Sequence, residues 1–176
     1  MNKRKIIGVA IIVIIVFASS YFVLQIINLQ KIKTEKAKQM DSLPAYCFVD
    51  ISDNPFCTDN LAENKPVLLI LFDPHCSSCE QEIIGIYNNK EAFSNVSIAM
   101  ITMSDKESCN NFYTMHKLNE LPTLHVLRDT SYNFIRLAGM IGAPETFVYN
   151  KDKLLIQKFT GEVKATTLIE IINEEK

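Results

Sequence analysis

Six consecutive apolar residues, Val67-Leu68-Leu69-Ile70-Leu71-Phe72, stand between Pro66 and Pro74. A run this short, without alternation, suits a β-strand buried on both faces. Burial on both faces requires packed layers above and below, which points to an α/β domain. Directly beyond the run lies Asp73-Pro74-His75-Cys76-Ser77-Ser78-Cys79, and a helical pattern extends from Ser77 to about Asn88. Two thiols therefore fall at a strand-to-helix junction.

The other segments fit the same architecture. Val96 to Thr102 and Thr123 to Leu127 read as further strands. Asp105 to Leu118 reads as a helix with Ser104 as its N-cap. Tyr132 to Ala138 is a short helix ended by Gly139. Thr146 to Tyr149 and Leu154 to Phe159 flank Asn150-Lys151-Asp152-Lys153 as a hairpin, and a last helix covers Lys164 to Asn173. Near the start, Tyr46 to Ile51 and a segment near Phe56 form a hairpin around Asp53-Asn54-Pro55. Strands alternating with helices predict a mostly parallel central sheet, flanked by helices on both faces and made mixed by the closing hairpin. Ligands of such open sheets meet the carboxyl ends of the strands, and Cys76 lies just past one.

Residues 6–27 form a separate apolar run, interrupted by Gln25 and preceded by Lys3-Arg4-Lys5. Its length suits a transmembrane helix, and the basic residues 1–5 place the N-terminus in the cytoplasm. The competing reading is a secretory signal cleaved near Ala18-Ser19-Ser20, but the apolar character continues to Ile27. Under both readings the downstream domain is exported. Residues 28–40 form a polar linker, and residues 41–176 have the size of one domain. Seven of the 18 Lys and Arg precede residue 41, whereas only Glu35 of the 20 Asp and Glu does, leaving 11 basic and 19 acidic residues in the domain. A domain of that charge without a basic stripe is a poor nucleic-acid binder.

The spacing of Cys76 and Cys79 puts both sulfurs on one face of a first helical turn, close enough to bridge. The positive end of the helix favours the thiolate of Cys76, which becomes the attacking sulfur, and His75 adds a positive neighbour when protonated. Cys79, one turn deeper, resolves the mixed disulfide that results. Two other readings exist. Half of a zinc site would need a second ligand pair, whereas Cys47, Cys57 and Cys109 lack close spacing and His116 and His125 are isolated. A merely structural bridge would close a very short loop. Glu82 follows Cys79 by three residues; placed beneath the dithiol and desolvated, its pKa would rise and it would exchange a proton with Cys79. On spacing alone, a solvated helix charge like Glu80 is an equal reading.

The apolar strand, the Cys-x-x-Cys and the later Gly142-Ala143-Pro144-Glu145-Thr146-Phe147 together resemble the thioredoxin fold. More narrowly they resemble its exported, membrane-anchored TlpA/ResA/CcmG group, over roughly residues 43–173. The resemblance implies a cis Ala143-Pro144 bond facing the dithiol, with the Ala143 backbone pairing with substrate. It implies a functional Glu82, and a Glu145 near the site. His75, Ala143, Pro144 and Glu145 are the expected substrate-side residues. The departures are His75 in place of an aromatic residue, Ser77-Ser78 between the cysteines, Ile70 where thioredoxin has a buried acid, and the absence of Trp. Those departures sit where reduction potential is tuned.

The expected activity is thiol-disulfide exchange in the bacterial envelope. The domain would face the periplasm from a single-pass inner-membrane anchor, drawing electrons from a membrane thiol carrier to reduce exported proteins, apocytochrome c among them. No cofactor and no metal ion is expected. A thioredoxin-like copper chaperone is the alternative, since copper(I) prefers thiolates. A peroxidase ranks third, because Pro74-His75 does not supply the Thr that a peroxiredoxin site carries ahead of its cysteine. Cys47 and Cys57 flank the first hairpin and invite pairing, but a turn centred on Asp53-Asn54 does not set them opposite each other. Cys109 reads as a small packed residue.

Overall fold

The structure is a computed structural model that describes Phe17, residues 20–27 and residues 38–174. The chain divides into two compact units, Met1–Ala37 and Lys38–Lys176. The described residues of the first unit are helical and exposed. Most of the expected membrane span, residues 6–27, lies outside the described residues. Among the described residues no helix is long and apolar enough to cross a membrane.

The second unit begins at Lys38, and Met40 is buried in its core. Its strands are β1 (Cys47–Asp50), β2 (Pro55–Cys57), β3 (Val67–Leu71), β4 (Ser97–Thr102), β5 (Leu124–Arg128), β6 (Glu145–Tyr149) and β7 (Leu155–Thr160). Its helices are α1 (Ser77–Asn88), α2 (Lys106–Met115), α3 (Asn133–Ala138) and α4 (Ala165–Glu174). One seven-stranded sheet runs β2-β1-β5-β4-β3-β6-β7.

The sheet is mixed but not mostly parallel. Only β3–β4 and β4–β5 are parallel; β1–β2, β1–β5, β3–β6 and β6–β7 are antiparallel. A parallel neighbour needs a crossover, and α1 and α2 supply crossovers for those two pairs alone. Every residue of β3 is buried. Leu68 and Ile70 face the layer under α1, α2 and α4, whereas Val67, Leu69 and Leu71 face the layer holding Met40, Phe48, Phe134 and Phe147. Two covered faces explain why the run does not alternate.

The chain enters this unit beside the amino end of β3. Leu155 N–H donates to Asp41 O (2.8 Å), Leu43 N–H to Lys153 O (2.8 Å), and Ser42 bridges Leu154. The Tyr149 hydroxyl, on the residue paired with Val67, donates to Met40 O (3.1 Å).

Three local expectations are corrected. The first hairpin turns through three residues, with Asp50 N–H donating to Asn54 O (2.9 Å) and Asp53 in the left-handed region at φ 67°. That shifts the register so that Cys47 stands opposite Cys57, and the two form a disulfide. Helix α2 is capped by Asp105, not Ser104: the Asp105 carboxylate accepts from Ser108 N–H (2.9 Å). It ends at Met115 because Lys117 adopts φ 52°, which breaks the helix and turns Leu118 into the core.

Candidate active site

Beyond Leu71, one more backbone bond holds the chain to the sheet, Phe72 N–H to Ile101 O (2.9 Å). The chain then turns within four residues. Cys76 N–H donates to Asp73 O (3.0 Å), and His75 N–H donates to the Asp73 carboxylate (2.9 Å). That turn delivers Cys76 as the N-cap of α1, where its sulfur accepts from Cys79 N–H (3.4 Å). Helix starts leave N–H groups without partners inside the helix, so the Cys76 sulfur sits where negative charge is stabilised. Both sulfurs are free thiols, Cys76 half-buried and Cys79 buried.

From the other side, the loop before β6 closes on Cys76. The Cys76 thiol donates to Ala143 O (3.5 Å), and the Ala143–Pro144 bond is cis. Gly161 N–H donates to Pro144 O (2.8 Å), which ties this loop to the end of β7. Thus Cys76, Cys79, Ala143 and Pro144 share one place, at the carboxyl end of β3. His75 is exposed beside them. Glu145 is fully buried: its carboxylate accepts from Ile141 N–H (3.1 Å) and lies 2.8 Å from Lys158 Nζ. It braces the loop that carries Ala143 and does not open toward a substrate.

Burial pushes the Cys79 thiol well above the ordinary thiol range; the neighbouring Cys76 and Glu82 add to this, and a hydrogen bond with the Asp73 backbone opposes it. Glu82, one helical turn on, is 2% exposed. Burial pushes its carboxyl up to about 7, with Glu162 adding to the rise and hydrogen bonds from Thr146 and Val163 opposing it. The Thr146 hydroxyl donates to Oε1 (2.5 Å) and Val163 N–H to Oε2 (3.2 Å). A thiol that does not release its proton readily lies one turn from a carboxylate that is half-ionised near neutrality. The raised proton affinity of Glu82 makes it a stronger base than an exposed carboxylate.

Cys109 is buried in the layer under α2, its thiol 3.9 Å from Ser104 O and pushed up to about 11 by burial. Among the described residues no group of three or more His, Cys, Asp or Glu is placed to hold a metal ion. Two features escape the sequence reading. One is the pair of donors to Glu82. Strand alternation would have found Thr146, two residues after Pro144, whereas nothing near Val163 marks it. The other is a cleft of about 270 Å³ between the active-site turn and α2, lined by His75, Glu80, Asn111, Phe112, Met115 and His116 among others.

A family model described as the AhpC/TSA family matches residues 36–158. No curated protein matches the chain. Among solved structures, a secreted Mycobacterium tuberculosis disulfide oxidoreductase, described as homologous to Escherichia coli DsbE, is similar. It is 19% identical, with 74% of this chain and 96% of that chain covered at a TM-score of 0.63. The peroxidoxin BcpB of Mycobacterium tuberculosis is 15% identical, with 77% and 96% covered and a TM-score of 0.66. StoA from Bacillus subtilis is 18% identical, with 74% and 98% covered and a TM-score of 0.57. At these identities the likeness establishes the fold, which is thioredoxin-like.

Proposed function

The chain belongs to the AhpC/TSA family, and we propose from that premise that it is a thiol-disulfide oxidoreductase working through Cys76 and Cys79. One observation carries the reading: the Cys76 sulfur is the N-cap of α1, between Cys79 N–H and the Ala143 carbonyl. The Cys76 thiolate attacks a substrate disulfide, forms a mixed disulfide and releases one substrate thiolate. Cys79 then gives its proton to Glu82 and attacks the Cys76 sulfur. The second substrate thiolate leaves and the Cys76–Cys79 disulfide closes. Two electrons pass to the substrate, and the proton held by Glu82 goes to the departing sulfur.

The finer reading is an envelope reductant of the TlpA/ResA/CcmG type. The domain would stand in the periplasm on an anchor at residues 6–27, be recharged by a membrane thiol carrier and reduce exported proteins, including apocytochrome c. The apolar run 6–27 supports the anchor. The Cys47–Cys57 disulfide supports an oxidising compartment.

Insulin reduction with dithiothreitol tests the activity. The parent protein should accelerate it and the Cys76→Ser variant should not; equal rates would sink the proposal. A Cys76/Cys79 potential near about −270 mV marks a reductant, and one near about −120 mV an oxidant. A second reading, peroxide reduction, draws on the likeness to a peroxidoxin. It requires Cys76-dependent consumption of hydrogen peroxide at a rate exceeding that of disulfide reduction.

A further inference from the structure

Glu82 has a named donor on each carboxylate oxygen, and the two differ in kind. Val163 supplies a backbone N–H, which any residue but proline would supply. Thr146 supplies a side-chain hydroxyl at 2.5 Å, from a residue that is itself fully buried. On β6, Thr146 stands between Ile70 of β3 and Phe159 of β7. Strand alternation turns it to the face covered by α1, while Glu145 and Phe147 turn to the other face. Lys158 follows them there: it meets the Glu145 carboxylate and lies over the Phe147 ring.

The titratable groups that face Glu82 therefore share one sign when ionised. They are Cys79 on its own helix, with Cys76 beyond it, and Glu162 just ahead of α4. The cation of β7 is engaged on the opposite face, and the β6 residue that faces Glu82 is Thr146. Within this burial the hydroxyl is the side-chain group that favours the carboxylate and fixes its direction.

We propose that Thr146 is a positioning residue, whose hydroxyl holds Glu82 where it receives the Cys79 proton and sets the pH at which that transfer operates. This rests on the reading of Glu82 as the proton acceptor. The hydroxyl neither gains nor loses a proton in the step. The proton passes from Cys79 to Glu82, and the sulfur electron pair forms the bond to Cys76.

The test is the pH–rate profile of the full-length protein, from pH 5 to 9, on a fluorescent peptide disulfide. Wild type is compared with Thr146→Val, Thr146→Ser and Glu82→Gln, and the Glu82 carboxyl is titrated in parallel by infrared difference spectroscopy. Thr146→Val should move the rising limb and the infrared titration upward together, by about one pH unit. Its rate at high pH should fall by about three- to tenfold, because the carboxylate loses the group that orients it. Thr146→Ser should return both midpoints to the wild-type value. The inference is overturned if the Val profile superimposes on wild type, or if Ser shifts as far as Val. Should Glu82→Gln lose the limb while Val leaves it unmoved, Thr146 alone is misassigned. A Glu82→Gln profile identical to wild type removes the acceptor role as well.

Discussion

Cys47 and Cys57 join two strands, whereas Cys76 and Cys79 begin a helix. The first pair is ten residues apart and stands in direct register at the sheet edge, outside both apolar clusters. It ties the three-residue β2 to β1. The second pair is three residues apart, with one sulfur at a helix start and the other buried beside a titratable carboxylate. The chemistry of a dithiol thus depends on what surrounds the sulfurs more than on their ability to bridge. A strand pair offers constraint; a helix start beside a buried carboxylate leaves a sulfur free to react.

The comparison breaks most visibly at Cys76. Replacing it with Ser should lower disulfide reduction by about a thousandfold or more, in an insulin assay. Serine is a good N-cap, so the melting temperature should barely move. Activity and stability should exchange places at the other pair. The double change Cys47→Ser and Cys57→Ser opens a loop of about ten residues, and denaturant titration should register a loss of about 3 kcal/mol. Its reduction rate should match wild type; a large loss there would mean that the edge pair takes part in turnover.

A smaller effect tests the buried carboxylate. The Glu82 carboxyl is raised to about 7, so the folded state holds its proton more tightly than the unfolded chain does. Its contribution is intact below the ordinary carboxyl range and is lost as pH rises through about 7. Glu82→Gln should therefore stabilise the reduced protein by about 2 kcal/mol at pH 8, with little gain at pH 4.5. A gain that does not change with pH would refute the cause. The smallest effect calibrates the rest: Asp105→Ala removes the cap of a helix without redox thiols, and should cost about 1 kcal/mol with no change in reduction rate.

Much of the reactive end is legible in the sequence, because it is built from local features. The unbroken apolar run forecasts a doubly covered strand, and the boundaries of α1 follow from the turn and the cysteine spacing. What resisted reading depends on contacts far along the chain. The direction of β1 and β6 is a property of the sheet, not of either segment. The Cys47–Cys57 pairing turns on one left-handed residue, Asp53, which lengthens the loop and slips the register. Glu82 could be singled out by spacing, but its environment comes from Thr146 and Val163, 64 and 81 residues away. Lys158 meets the Glu145 carboxylate across the β6–β7 hairpin, a pairing that only the strand register reveals.

The point where the chain enters the domain has a practical consequence. Asp41 and Leu43 bond beside the β6–β7 turn, next to Val67, whereas Cys76 follows the opposite end of the same strand. A bead, a fusion partner or an electrode coupled upstream of Lys38 would grip the domain by the end that does no chemistry. The half-buried Cys76 would then be left open to a folded partner as well as to a peptide.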